Sequence, residues 1–185
     1  MRLPIAFDPA PLRADLARLA GREWTPHFVP QHYEGEWSAL PLRAKRGAIH
    51  PILMIAPDPA ATEFEDAPLL SELPAIAAAV AAFECPLRCV RLMRLAPGAS
   101  IKPHSDFDLE AECGLARIRV PIVSNPGVEF ILDGTPVAMA PGEAWYLRLS
   151  ETHSAANRGE SDRIHLVIDA LVNGWLAALL AGPAG

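Results

Sequence analysis

From residue 87 onward the chain alternates. In LRCVRLMRLA, Cys89, Arg91, Met93 and Leu95 fall on one face of an extended strand, with Val90, Leu92, Arg94 and Ala96 on the other. The stretches IKPHSDFD, ARIRVPIV, VEFILDG, TPVAMAPG, EAWYLRL, HSAANRG and DRIHLVIDAL follow. Gly, Pro, Asn and Asp turns separate them at fairly regular spacing, as in all-β sandwiches and barrels. Asp133-Gly134 predicts a tight hairpin, because both central positions of such a turn need positive φ. The first part of the chain reads differently. Asp8 caps a helix with Pro9 in its first turn, Leu12, Leu16 and Leu19 form its apolar stripe, and Gly21 ends it. Residues 22–66 show little periodicity around Trp24, Tyr33 and Trp37. Ser71 to Phe83 predicts a second helix with Ser71 as its cap, and NGWLAALLAG a short terminal one. The pattern predicts one domain over 1–185 that is mainly β with flanking helices. A helical part at 1–86 packs on a jelly-roll or cupin-like core at 87–172, and a C-terminal helix spans 173–185.

Composition narrows the picture without changing it. The chain has 185 residues, 51% hydrophobic and 21% charged, enough for a core that needs no disulfide or structural metal. A formal net charge of −6 argues against nucleic acid or an anionic membrane as the main partner. No apolar run reaches the roughly 18 residues of a spanning helix. The N-terminus has no apolar signal core and carries Asp8 and Asp15, so a cytoplasmic location is expected. Cys85, Cys89 and Cys113 are too few and too oddly spaced for a disulfide framework or a zinc set and read as reduced thiols.

The chemistry is concentrated around Pro103-His104-Ser105-Asp106. Residues i and i+2 of a strand share a face, so His104 and Asp106 can reach one point. His153 follows after 46 intervening residues and can return to that point in a closed β roll. Two imidazoles and one carboxylate form the facial triad that holds Fe(II) with positions open for a bidentate cosubstrate and O2. Arg163 lies ten residues after His153, past the turn-like Asn157-Arg158-Gly159, which puts it on the neighbouring strand. A guanidinium there suits the distal carboxylate of 2-oxoglutarate. Arg117 and Arg119 share a face opposite Ile118 and Val120, so that face meets either solvent or an anion-binding lumen. His165 shares the face of Arg163 and either lines the pocket or satisfies a core hydrogen bond. Trp145 either packs in the core or stacks on substrate. Asp108, Glu110 and Glu112 form an acidic loop, either solvated or a lid.

RLMRLAPGASIKPHSD, ARIRVPIVSNPGVEFILDG, PGEAWYL and THSAANRGESDRIHLVID together resemble the aspartyl/asparaginyl β-hydroxylase family, over about residues 88–172. The resemblance implies a double-stranded β-helix that uses Fe(II) and 2-oxoglutarate. It places His104, Asp106 and His153 as iron ligands and Arg163 against the distal carboxylate. It makes Arg117 an active-site arginine that contacts cosubstrate or substrate carboxylate. Animal-type members have Gly where Asp106 stands, and His where Arg119 stands; the complete triad here is as in the small bacterial amino-acid hydroxylases. The implied reaction is hydroxylation of an unactivated C–H bond, with O2 consumed and succinate and CO2 released. The implied substrate is a free, proline-like amino acid, for whose carboxylate Arg117 or Arg119 can serve, or an amino-acid side chain in a peptide. Two other classes share part of the pattern: a cupin metalloenzyme that does not use 2-oxoglutarate, and a non-catalytic β-sandwich binding module.

Overall fold

A computed structural model describes residues 1–182. The N-terminal part contributes five strands, β1 (Arg2–Ala6), β2 (Thr25–Pro26), β3 (Tyr33–Glu34), β4 (Trp37–Lys45) and β5 (Phe64–Asp66). The alternating half supplies β6 (Leu87–Leu95), β7 (Ser100–His104), β8 (Leu115–Val123), β9 (Val128–Leu132), β10 (Thr135–Pro136), β11 (Glu143–Tyr146), β12 (His153–Asn157) and β13 (Arg163–Leu171). Helices α1 (Pro9–Ala17), α2 (Pro51–Ile55), α3 (Pro74–Ala81) and α4 (Gly174–Leu180) flank them. Residues 183–185, at the end of the expected terminal helix, lie outside the described residues.

Two antiparallel sheets face each other. The larger runs β1-β11-β8-β13-β6-β4-β2, with β5 added beside β4; the smaller runs β10-β9-β12-β7-β3. From β6 to β9 the chain changes sheet at every strand, and it does so again at β11, β12 and β13. That winding is a double-stranded β-helix of the jelly-roll type. Asp133 and Gly134 take φ of 47° and 71°, so the hairpin between β9 and β10 has the expected primed turn.

The period-2 pattern of the large sheet separates two cores. Val90, Leu92, Ile118, Val120, Leu166 and Ile168 point to one face, where Leu12 of α1, Ile76 and Val80 of α3 and Leu176 of α4 cover them. The opposite face meets the small sheet and packs Trp37, Met93, Leu95 and Val167 against Ile101, Phe130 and Ala155. Ile55 of α2 closes this second core. Arg91, Arg117, Arg119, Arg163, His165 and Asp169 share the face of Val167 and are all buried. These six polar positions therefore line an interior and not a wet surface.

Two expectations for the first 86 residues need correction. They are not helical with loops only, because β4 is a nine-residue strand paired to both β5 and β6. Its burial on both faces removes the alternation that would mark it. The helix predicted from Ser71 begins at Pro74 instead, after a 3₁₀ turn over Pro68–Glu72. Asp15 of α1 takes the capping role across the interface, with its Oδ2 accepting from Ala75 N and Ile76 N at 2.7 and 2.9 Å. Among the described residues no helix is long and apolar enough to cross a membrane.

Candidate metal centre and its cavity

His104 ends β7 and His153 begins β12, and the two residues are direct cross-strand partners. Their rings lie 4.3 Å apart between centroids. Asp106 sits two residues beyond the strand, where its backbone N–H donates to Leu149 O at 2.8 Å. One ligand atom from each of His104, Asp106 and His153 falls within 4.8 Å of the others.

Both imidazoles are oriented in the same way. His104 Nδ1 lies 2.8 Å from the Lys102 carbonyl, and His153 Nδ1 lies 3.1 Å from the Glu151 carbonyl, each two residues back along its own chain. A carbonyl can only accept, so Nδ1 carries the proton and Nε2 keeps its lone pair for a metal. Burial, reinforced by the Arg119 charge, lowers the pKa of His153 to about 4, although its bond to Glu151 opposes the shift. The imidazole is thus neutral at ordinary pH, as a ligand must be. On Asp106, Oδ2 accepts from Arg117 Nη1 at 3.0 Å. The donor set and its supports fit a divalent metal of the Fe(II) type.

The cluster opens into a cavity of about 280 Å³. Four of the buried arginines named above border it, Arg91, Arg117, Arg119 and Arg163. They differ in pairing. Arg91 and Arg117 are tied to Asp169, whereas among the described residues neither Arg119 nor Arg163 pairs with a carboxylate. The Nε atoms of Arg119 and Arg163 are buried with no hydrogen-bond partner. Burial lowers the pKa of Arg163 to about 10 and, together with the neighbouring Arg163 charge, lowers that of Arg119 well below its ordinary value. Both stay cationic at neutral pH. Buried cations without counter-charges are costly unless an anion joins them. A dicarboxylate such as 2-oxoglutarate fits that deficit.

Of the remaining expected residues, His165 and Trp145 do not line the cavity. His165 accepts from Arg163 Nη2 through its Nδ1 at 3.3 Å and is kept neutral by burial and the Arg163 charge. Trp145 packs at the edge of the inter-sheet core, and its indole N–H donates to Glu143 at 2.9 Å. Of the acidic loop, Asp108 borders the cavity, while Glu110 bonds Ser150 and Glu112 pairs with Arg148.

Sequence reasoning missed three groups. Asp169 and Arg91 form the ion pairs beneath the site, and inward parity on β13 and β6 is the signal that could have found them. His27 stacks on Trp37 at 3.5 Å between centroids and on Phe28 at 4.4 Å, forming an aromatic wall. Burial, aided by Arg91 and Arg117, lowers its pKa to about 3. Phe107, beside Asp106, is 81% exposed at the cavity mouth.

Fold and cluster define a cupin-like protein whose two sheets enclose three side chains able to share a metal. The chain belongs to the aspartyl/asparaginyl β-hydroxylase family, whose model matches residues 10–172. It is 30% identical over 169 residues to the L-proline cis-4-hydroxylase of Rhizobium meliloti (strain 1021), which covers 89% of this chain. The chain spans 58% of the length of that relative. Solved structures overlap it more loosely. A predicted oxalate decarboxylase of Thermotoga maritima aligns at a TM-score of 0.42 and 18% identity, over 81% of this chain and 95% of that one. A Cupin_2 domain of an XRE family regulator from Enterobacter cloacae aligns at 0.37 and 16%, over 46% and 82%. The fold assignment rests on the strand order and not on these overlaps.

Proposed function

We propose that the protein is an Fe(II)- and 2-oxoglutarate-dependent hydroxylase of an unactivated C–H bond in an amino acid, either free and proline-like or carried in a peptide. The observation that carries this reading is the union of a His-Asp-His cluster with two buried arginines that lack a counter-charge, in one cavity. His104, Asp106 and His153 would hold the metal. When bound, Fe(II) and 2-oxoglutarate supply the oxidising power that places one atom of O2 on carbon, with succinate and CO2 released. Arg163, at the start of β13, is the partner for the distal carboxylate. Arg119 adds a second cation for a cosubstrate or substrate carboxylate. Met93, Ile101, Leu109 and Phe130 give the cavity apolar walls that exclude water and suit the aliphatic part of a substrate. Positioning by these walls and cations is the protein's share of the reaction.

Anaerobic addition of Fe(II) and then 2-oxoglutarate to the apo-protein tests the reading. The expected result is a weak visible charge-transfer band that is lost in Asp106→Ala and His153→Ala. Succinate release against free L-proline, other free amino acids and peptides then identifies the substrate. A folded, metal-loaded protein with no band overturns the 2-oxoglutarate assignment and favours a cupin metalloenzyme of another kind.

A further inference from the structure

Asp169 is 2% exposed on the inward face of β13, and among the described residues its side-chain hydrogen bonds go to Arg117 and Arg91 and not to a candidate metal ligand. Its Oδ1 accepts from Arg117 Nε at 2.6 Å and its Oδ2 from Arg117 Nη2 at 3.0 Å. Two parallel bonds between one guanidinium and one carboxylate fix the plane of the arginine. With that plane fixed, Arg117 Nη1 meets Oδ2 of Asp106 at 3.0 Å. Asp106 is thereby held by one oxygen and left with the other for the cluster. Asp169 Oδ2 also accepts from Arg91 Nη2 at 3.2 Å, and Arg91 Nη1 reaches the Ile55 carbonyl at the end of α2. Burial would push the Asp169 carboxyl up, but the Arg117 and Arg91 charges override it and keep it ionised.

The charges divide accordingly. Arg91 and Arg117 are balanced by Asp169 and Asp106, which leaves Arg119 and Arg163 uncompensated. Resting on the reading of His104, Asp106 and His153 as metal ligands, we propose that Asp169 is a positioning residue. It acts through Arg117 to present one oxygen of Asp106 to the metal. It also keeps Arg91 and Arg117 engaged, so that the cations open to carboxylate ligands are Arg119 and Arg163.

A purely structural ion pair would change stability when broken but not metal affinity. The discriminating measurement is Co(II) binding to the apo-protein without 2-oxoglutarate, by calorimetry and visible absorption. It compares wild type, Asp169→Asn, Arg117→Lys, the double variant and Asp15→Asn. Each single site variant is expected to bind Co(II) about 10- to 100-fold more weakly, as supports of metal ligands do. The double variant should bind no more weakly than the worse single one, because both changes break one path. Asp15→Asn, at a buried carboxylate remote from the cluster, should melt lower yet bind normally. Wild-type affinity in folded Asp169→Asn, or losses that multiply in the double variant, overturns the inference. If Asp169→Asn does not fold, Arg117→Lys decides. Lysine keeps the charge but cannot span both carboxylates, so wild-type affinity there overturns the proposal. Wild-type protein that binds no Co(II), or binds it unchanged by His104→Ala, overturns the ligand assignment itself and the inference with it.

Discussion

Arg163 shows how far one residue can be held against its own stability. It is 1% exposed, its Nε has no partner, and among the described residues its side-chain hydrogen bond goes to a neutral histidine. Burial that lowers its pKa to about 10 from an ordinary 12.5 means the folded apo-protein resists the charge it carries at neutral pH. At ~1.4 kcal/mol per pKa unit, the cost is on the order of 3 kcal/mol. Arg163→Met keeps length and removes the charge. The apo-protein should therefore melt several degrees higher, while the dissociation constant for 2-oxoglutarate rises about 10- to 100-fold. Thermal melts with and without 2-oxoglutarate read both effects together. A variant that melts lower without ligand, or that binds 2-oxoglutarate normally, contradicts the assignment. Arg163 was legible because it follows a turn at a fixed distance from His153. Asp169 was not, because an aspartate on a strand reads as a breaker. Its meaning comes from cross-strand partners: it lies directly opposite Arg117 in the register of β13 and β8.

At the scale of elements, the spacing between His153 and Arg163 depends on the turn that joins β12 to β13. Asn157, with no exposed surface, organises it. Its amide donates to Leu95 O at 2.9 Å and to Ser161 O at 2.8 Å, and its Oδ1 accepts from Asn125 Nδ2 and Gly159 N at 3.1 and 3.2 Å. All its polar capacity is used inside the protein. Backbone also passes close by, since a Cβ on Gly127 would lie 2.7 Å from the Arg158 carbonyl carbon. Asn157→Ala strands the Leu95 and Ser161 carbonyls and loosens the link between the sheets. It should destabilise the fold by about 1–3 kcal/mol in denaturant titration. Weaker binding of both metal and 2-oxoglutarate should accompany the loss, because the turn positions one ligand of each. A stable variant with intact binding would show the turn to be dispensable. Elements were legible where one face of a strand carries polar residues among apolar ones, as in β6, β8 and β13. They were hidden where both faces are apolar, as in β4, and where two residues make the whole strand, as in β2 and β3.

For the whole molecule, the large sheet divides labour between its faces. The face under α1, α3 and α4 is mostly apolar and supplies stability, while the face toward the small sheet holds arginines, histidines and an aspartate. The second face makes the fold sensitive to acid in a way the first does not. His27 and His153 have pKa values lowered by burial to about 3 and about 4, and His165 is also held well below its ordinary 6.5. Once unfolded, all three take up protons near pH 6.5. Between that pH and their folded values, the unfolded chain binds more protons than the native one, so stability rises with pH there. It is fully present above about pH 6.5 and is lost as the pH falls toward 4. Each histidine contributes at most about 1.4 kcal/mol per pH unit, less for His27, which keeps some solvent contact. Below about pH 4 the paired carboxylate of Asp169 adds to the decline, since its folded pKa is depressed. Melts of the metal-free protein should therefore drop steadily from pH 7 to about 5.5, above the range in which carboxylates titrate. His27→Phe keeps the stack on Trp37 but cannot take a proton, so the slope in that variant should be visibly shallower. A melting temperature that is flat or rises on acidification through this window would show that the inner face is hydrated, and that these histidines titrate as they do in water.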